Sequence, residues 1–88
     1  MQRLNKPAPK QAERRHIARV AELPCSVCDA AGPSEVHEIK QGVWHLAVAL
    51  CPSCHRNSKL GWHVDRRMWA LKKMDDLDAL AVTLRRLL

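Results

Sequence analysis

Cys25-Ser26-Val27-Cys28 and, 22 residues further on, Cys51-Pro52-Ser53-Cys54 decide how this chain folds. Two cysteines separated by two residues can grip one side of a tetrahedral ion, and two such knuckles complete a four-thiolate site. The alternative use of the four thiols, as two disulfides, needs an oxidising compartment. The spacing therefore predicts a closed structural zinc site with no position open to substrate. Pro24, Gly32-Pro33 and Pro52 punctuate the two knuckles as turn-forming residues do.

An 88-residue chain makes one small domain and often needs such a staple, because it buries little of its unfolded surface. Its aromatic content is 3%, all of it Trp, so the core must be aliphatic. An apolar share of 47% is too high for a disordered tail. No apolar run approaches the ~18–20 residues that a membrane span needs. Met1 to Pro7 has no apolar stretch of the kind a secretory signal carries. The expectation is a monomeric cytoplasmic protein with no membrane partner.

Outward from the knuckles, residues 1–9 read as a flexible basic arm and residues 10–88 as a single domain, with its core at 25–63. Residues 10–22 read as a basic helix, with Ile17, Val20 and Ala21 on one face and Arg14, Arg15 and Arg19 on the others. Residues 35–39 read as a short strand, and Lys40-Gln41-Gly42 as a turn. From Trp44 to Leu50 apolar residues alternate, which predicts a half-buried second strand carrying His45, Ala47 and Ala49 on its polar face. A helix is expected from Pro52 to about Leu60. Two helices fill residues 64–88: one over 64–74, and one capped by Asp75 or Asp76. In the latter, Leu77, Leu80, Ala81, Leu84 and Leu88 follow a helical period, and Arg85 and Arg86 favour the negative end of the dipole. Those leucines are read as core rather than as a partner-binding face, and Trp62 and Trp69 as core rather than as base-stacking residues. The fold class is α+β.

The net charge of +6 is uneven. Residues 1–24 carry six Lys+Arg against two Glu, residues 25–63 three against three, and residues 64–88 six against four. A basic helix beside a zinc hairpin points to a polyanion, with DNA the expected partner and RNA not excluded; a merely solvated charged face is the competing reading. Among five histidines, His16 sits with the arginines as a surface or phosphate-contacting residue, while His37, His55 and His63 fall near the zinc half-sites. One zinc clamping both knuckles turns the first strand toward the helix, so that His37 and His55 converge. Imidazoles with a carboxylate suit a second divalent ion (Mg2+, Mn2+ or Zn2+) that keeps water positions open, as hydrolysis requires.

These residues resemble a family. Cys25-x2-Cys28, Val36-His37-Glu38-Ile39 and Leu50-Cys51-Pro52-Ser53-Cys54-His55-Arg56 are similar to a zinc-stapled HNH endonuclease, the ββα-metal or His-Me finger fold, which is treble-clef-like. The run from Gly61-Trp62-His63 through Arg66-Arg67-Met68-Trp69 resembles the phage recombination-enhancement (Ref-like) branch. The resemblance implies a flanked ββα-metal core, DNA as substrate and phosphodiester hydrolysis as reaction, with a recombinase filament as a possible associate. By position it makes His37 and His55 metal ligands, His63 an added or final ligand, and Glu38 the occupant of the general-base position, where the family usually has His. His45 and Asn57 are candidates for its middle residue. Arg56 would neutralise a phosphate, and Arg14, Arg15 and Arg19 would follow the backbone. A zinc-stabilised module that binds nucleic acid without cutting it is the alternative.

Overall fold

The computed structural model describes residues 8–56 and 67–88. Chain order is α1 (Gln11–Ala21), β1 (Glu35–Glu38), β2 (Ala47–Leu50), α2 (Pro52–His55), α3 (Arg67–Leu71) and α4 (Asp76–Leu87). The result is a small α+β structure with a two-stranded antiparallel sheet. No helix among the described residues is long and apolar enough to cross a membrane.

Each helix boundary has a local cause. Glu13 Oε1 accepts the Lys10 amide at 2.7 Å, satisfying a donor at the start of α1. At α4 the box is reciprocal: Asp75 accepts the Asp78 amide and Asp78 accepts the Asp75 amide, both at 2.9 Å. The Asp78 amide, the first cause, holds the Asp75 carboxyl below its ordinary value. Sequence predicts a helix over 64–74, yet the described part ends at Leu71. Lys73 takes a left-handed conformation, with φ 55°. The Lys73 amide then bonds Ala70 O at 3.0 Å and the Met74 amide bonds Trp69 O at 2.9 Å, the pattern of a Schellman stop. The expected residues 57–60 of the helix starting at Pro52, and 64–66 of the next, lie outside the described residues, as do residues 1–7 of the expected 1–9 arm.

The hairpin pairs Glu35 with Leu50, Val36 with Ala49, His37 with Val48 and Glu38 with Ala47. The second strand is shorter than expected. Trp44 to Leu46 form turns, because the Val43 amide bonds Lys40 O and the Leu46 amide bonds Val43 O. His45 therefore lies in the connection and not on a strand face. Gly42 supplies the positive φ, 86°, that the reversal requires.

The strand is also not half-buried: all four residues from Ala47 to Leu50 are fully covered. The alternation separates two packing layers instead of core from solvent. Val48 and Leu50 join Cys25, Val27, Cys54, Trp69 and Ala79, while Ala47 and Ala49 join Val20. Alanine on the second face leaves room for α1 to lie close. Trp69 is 1% exposed, as expected for a core residue, and its Nε1 donates to Cys54 O at 3.0 Å.

One buried hydroxyl joins three elements. Thr83 Oγ1 donates to Ala79 O at 3.0 Å, accepts the Ala49 amide at 3.3 Å and lies 2.7 Å from Ser26 Oγ. A threonine has one hydroxyl hydrogen, so Ser26 is the donor of the last bond. Thr83→Val keeps the shape and leaves the Ser26 hydroxyl and Ala49 amide buried without that partner. It should cost about 1–3 kcal/mol in urea denaturation, well above the effect of an exposed α4 substitution.

Candidate metal centre

The first knuckle is a tight turn. The Asp29 amide bonds Cys25 O and the Cys25 amide bonds Ala30 O, both at 2.9 Å. Asp29 is left-handed, with φ 64°, which lets the chain reverse after Cys28. The Val27 amide points at Cys25 Sγ from 3.4 Å. The second knuckle is a strand-to-helix joint: β2 ends at Leu50, Cys51 stands at the N-cap of α2, and Pro52 occupies the first turn, where its missing N–H is harmless. Cys54 is thereby carried back beside Cys51.

The four Sγ atoms of Cys25, Cys28, Cys51 and Cys54 lie within 4.8 Å of one another, and Cys28 and Cys51 are 3.6 Å apart. A zinc–sulfur bond of about 2.3 Å implies a tetrahedral sulfur–sulfur edge of about 3.8 Å. A disulfide would bring two sulfurs to about 2.0 Å, and all four cysteines are free. The four cysteines are placed to hold one metal ion, and the donor set is consistent with structural zinc. Their electrostatics agree. Burial resists ionisation of Cys25, but amides of Cys28, Cys51 and Val27 outweigh it and draw that thiol below its ordinary value. Burial, then the neighbouring Cys25, Cys51 and Cys28, pushes Cys54 far upward, and burial raises Cys28. Four thiolates at this density need a cation to compensate them.

Arg86 completes the frame. Its Nη1 donates to Pro24 O and Cys25 O at 3.3 Å each, and its Nη2 pairs with the Asp29 carboxylate. That hydrogen bond, with the guanidinium charge, holds Asp29 below the usual carboxylate range. Sequence reading gave Arg86 only a dipole role, because its partners lie about sixty residues away.

The same frame brings two predicted histidines together. Paired residues of an antiparallel ladder share a face, so His37 lies with Glu35, Val48 and Leu50, on the side where α2 packs. His37 is 5% exposed. Its ring centroid is 5.2 Å from that of His55, with the planes at 68°. Glu35 Oε1 lies 2.8 Å from His55 Nδ1, and the same carboxylate takes Arg56 Nε at 3.1 and 2.9 Å and Arg56 Nη2 at 2.7 Å. His55, foremost, and Arg56 keep the Glu35 carboxyl below its ordinary value. An ionised carboxylate only accepts, so Nδ1 of His55 is the donor in this contact, which in a neutral ring leaves the lone pair on Nε2. Glu35 was missed as a site residue, although its position two residues before His37 in a strand puts both on one face.

Other predicted residues lie elsewhere. Glu38 alternates to the face of Ala47, and its Oε1 accepts the Gly42 amide at 2.9 Å. Arg14 Nε donates to Pro9 O and Arg19 Nη2 to Leu87 O, at 3.1 and 2.7 Å, while Arg15 is exposed. His16 is stacked obliquely on His45, with centroids 4.8 Å apart. Burial, then His45, holds the His16 imidazole below its ordinary value. His63, Asn57 and Trp62 lie outside the described residues.

Metal binding must displace thiol protons, which burial holds on Cys28 and Cys54. Uptake of one ion by chelator-treated protein at neutral pH should release about three to four protons, read with a pH indicator in weak buffer, and affinity should fall as pH drops. Uptake without proton release would contradict a thiolate site. No protein-family model, curated protein or solved structure matches the chain.

Proposed function

We propose that this protein is a metal-dependent DNA endonuclease of HNH type, with zinc at the four cysteines and a second divalent ion at the histidines. The observation that supports this reading is the meeting of His37 and His55 at 5.2 Å, on a strand and a helix tied to the same four-cysteine frame. Two imidazoles, one with its tautomer fixed by Glu35, suit magnesium, manganese or zinc with water positions left open. A divalent ion bound there supplies Lewis acidity at a phosphoryl oxygen and stabilises the leaving oxygen. His37 and His55 are the ligands in this reading, with His63 a further candidate.

The chain's own groups do the rest. Glu35 orients His55 and holds Arg56 at the same edge, so that the guanidinium can meet a phosphate where the imidazole meets the ion. Arg14 and Arg15 follow the DNA backbone from α1. Such contacts position DNA without reading its sequence, so cleavage is weakly specific. A recombinase filament as associate rests on the resemblance alone. Glu38, expected as base or ligand, lies on the other face of β1 from His37, and Glu38→Gln separates a role in the reaction from its hold on the Gly42 amide. Loss of cleavage with unchanged stability assigns the carboxylate to the chemistry; loss of stability alone assigns it to the turn.

A second reading, a non-catalytic nucleic-acid-binding module, draws support from the net charge of +6 and the exposure of Arg14 and Arg15. It predicts binding whose log K falls with log salt at a slope of about −0.9 per phosphate neutralised on duplex DNA, without cleavage.

Plasmid nicking with manganese or magnesium separates the two. Wild type should nick, and His37→Ala and His55→Ala should each lose at least about 100-fold in rate while retaining the cysteine-bound metal. Equal nicking by all three removes the histidine site. Salt-sensitive binding with no nicking selects the second reading.

A further inference from the structure

The face that α4 turns away from the core has no partner among the described residues. Ala79 and Thr83 are fully buried, and Leu80 and Leu87 pack partly against the two core layers. Leu77, Leu84 and Leu88 are 62%, 41% and 104% exposed, and Ala81 is exposed between them. Steps of four, three and four residues put these side chains in one stripe along the helix. The expectation that Leu77, Leu84 and Leu88 belong to the core is thus corrected. The small buried residues Ala79 and Thr83 take the core face, which rotates the leucine stripe outward.

We propose that this stripe pairs with the α4 of a second copy of the chain, antiparallel and about a two-fold axis. Charge selects both the occupant and the direction. Asp78 and Arg85 are seven residues apart and lie on the same flank of the stripe. An antiparallel copy centred near Ala81 sets Asp78 beside the other chain's arginine at position 85, twice over by symmetry. In a parallel pair the same flank of each helix falls on opposite sides of the contact, so Asp78 and Arg85 gain no such cross-pair. Among the described residues Arg85 makes no side-chain hydrogen bond or ion pair. Ala81 at the centre allows close approach, and the helix dipoles of an antiparallel pair attract. The same patch serves both chains, so the contact closes at two copies. One 12-residue helix against its copy covers less than the ~1,200–2,000 Å² of a standard interface, so the dimer is weak and concentration-dependent. The inference stands independently of the nuclease reading.

Sedimentation equilibrium on metal-loaded protein from ~5 to ~500 μM tests it. Wild type should rise from the chain mass of 10.0 kDa toward twice that value. Leu84→Glu and Leu77→Glu should stay at one chain mass, with circular dichroism and metal content unchanged. Arg85→Glu should weaken association roughly 3- to 30-fold, since it turns both cross-pairs repulsive. A wild type that stays at one chain mass overturns the proposal, as do masses that grow beyond two chains. Association of the leucine variants equal to wild type does the same, and an unaffected Arg85→Glu removes the antiparallel register. Should both leucine variants unfold, amide resonances of wild type decide: concentration-dependent shifts centred on α4 support the contact, and shifts centred elsewhere overturn it.

Discussion

Convergence of four sulfurs governs this structure, because both segments that carry them are also the places where the chain changes element. The first knuckle receives the chain from α1 and sends it toward β1; the second is the junction of β2 and α2. Holding Cys25, Cys28, Cys51 and Cys54 within 4.8 Å fixes where the strand stops, where the helix begins, and hence which side chains of β1 and α2 become neighbours. The more distant elements fasten to the same frame: Trp69 to the Cys54 carbonyl, Arg86 to the Pro24 and Cys25 carbonyls, Thr83 to Ser26. A structural ion in a site of this kind contributes an apparent ~10–16 kcal/mol in small zinc modules, comparable to the whole stability of an ordinary domain. With Trp69 the single fully buried aromatic residue among the described residues, the apolar core is a supplement to that term.

Local chemistry was legible in the sequence, and long-range orientation was not. The cysteine spacing announced the thiolate cluster, a cap at Asp75 or Asp76 announced α4, and the alternation before Cys51 announced β2. Alternation reports two distinct faces but not what covers each: Ala47 and Ala49 read as solvent-facing, whereas Val20 of α1 packs on them. Periodicity in α4 likewise reports apolar positions without their azimuth. Leu80 and Leu77 belong to one helical pattern, yet only the former turns toward the core. The approach of His37 to His55 was readable because His55 follows Cys54 directly and one ion at both knuckles draws the first strand toward that helix. The carboxylate of Glu35 and the guanidinium of Arg86 were not singled out, because nothing local distinguishes them from solvated charges.

The basic character of the chain divides into two populations. Arg19, Arg56 and Arg86 are engaged with Leu87 O, Glu35 and the first knuckle, where they tie elements together. Arg15 stands exposed on α1, and among the described residues Arg14 binds only the nearby Pro9 carbonyl. Net charge alone therefore overstates the positive surface offered to a polyanion, and the direction of each guanidinium matters more than the count.

The outer edge of β2 is sealed by neighbours rather than by another strand. The Ser26 amide takes Ala49 O at 2.9 Å, and Thr83 takes the Ala49 amide. Ser26 belongs to the first knuckle, so the seal is only as firm as the sulfur cage that shapes it. Ala47-Val48-Ala49-Leu50 is short, uncharged and apolar, the kind of ribbon that recruits identical ribbons when its edge is bared. Opening the cysteine cage would therefore loosen the domain and also bare the Ala49 edge that Ser26 covers.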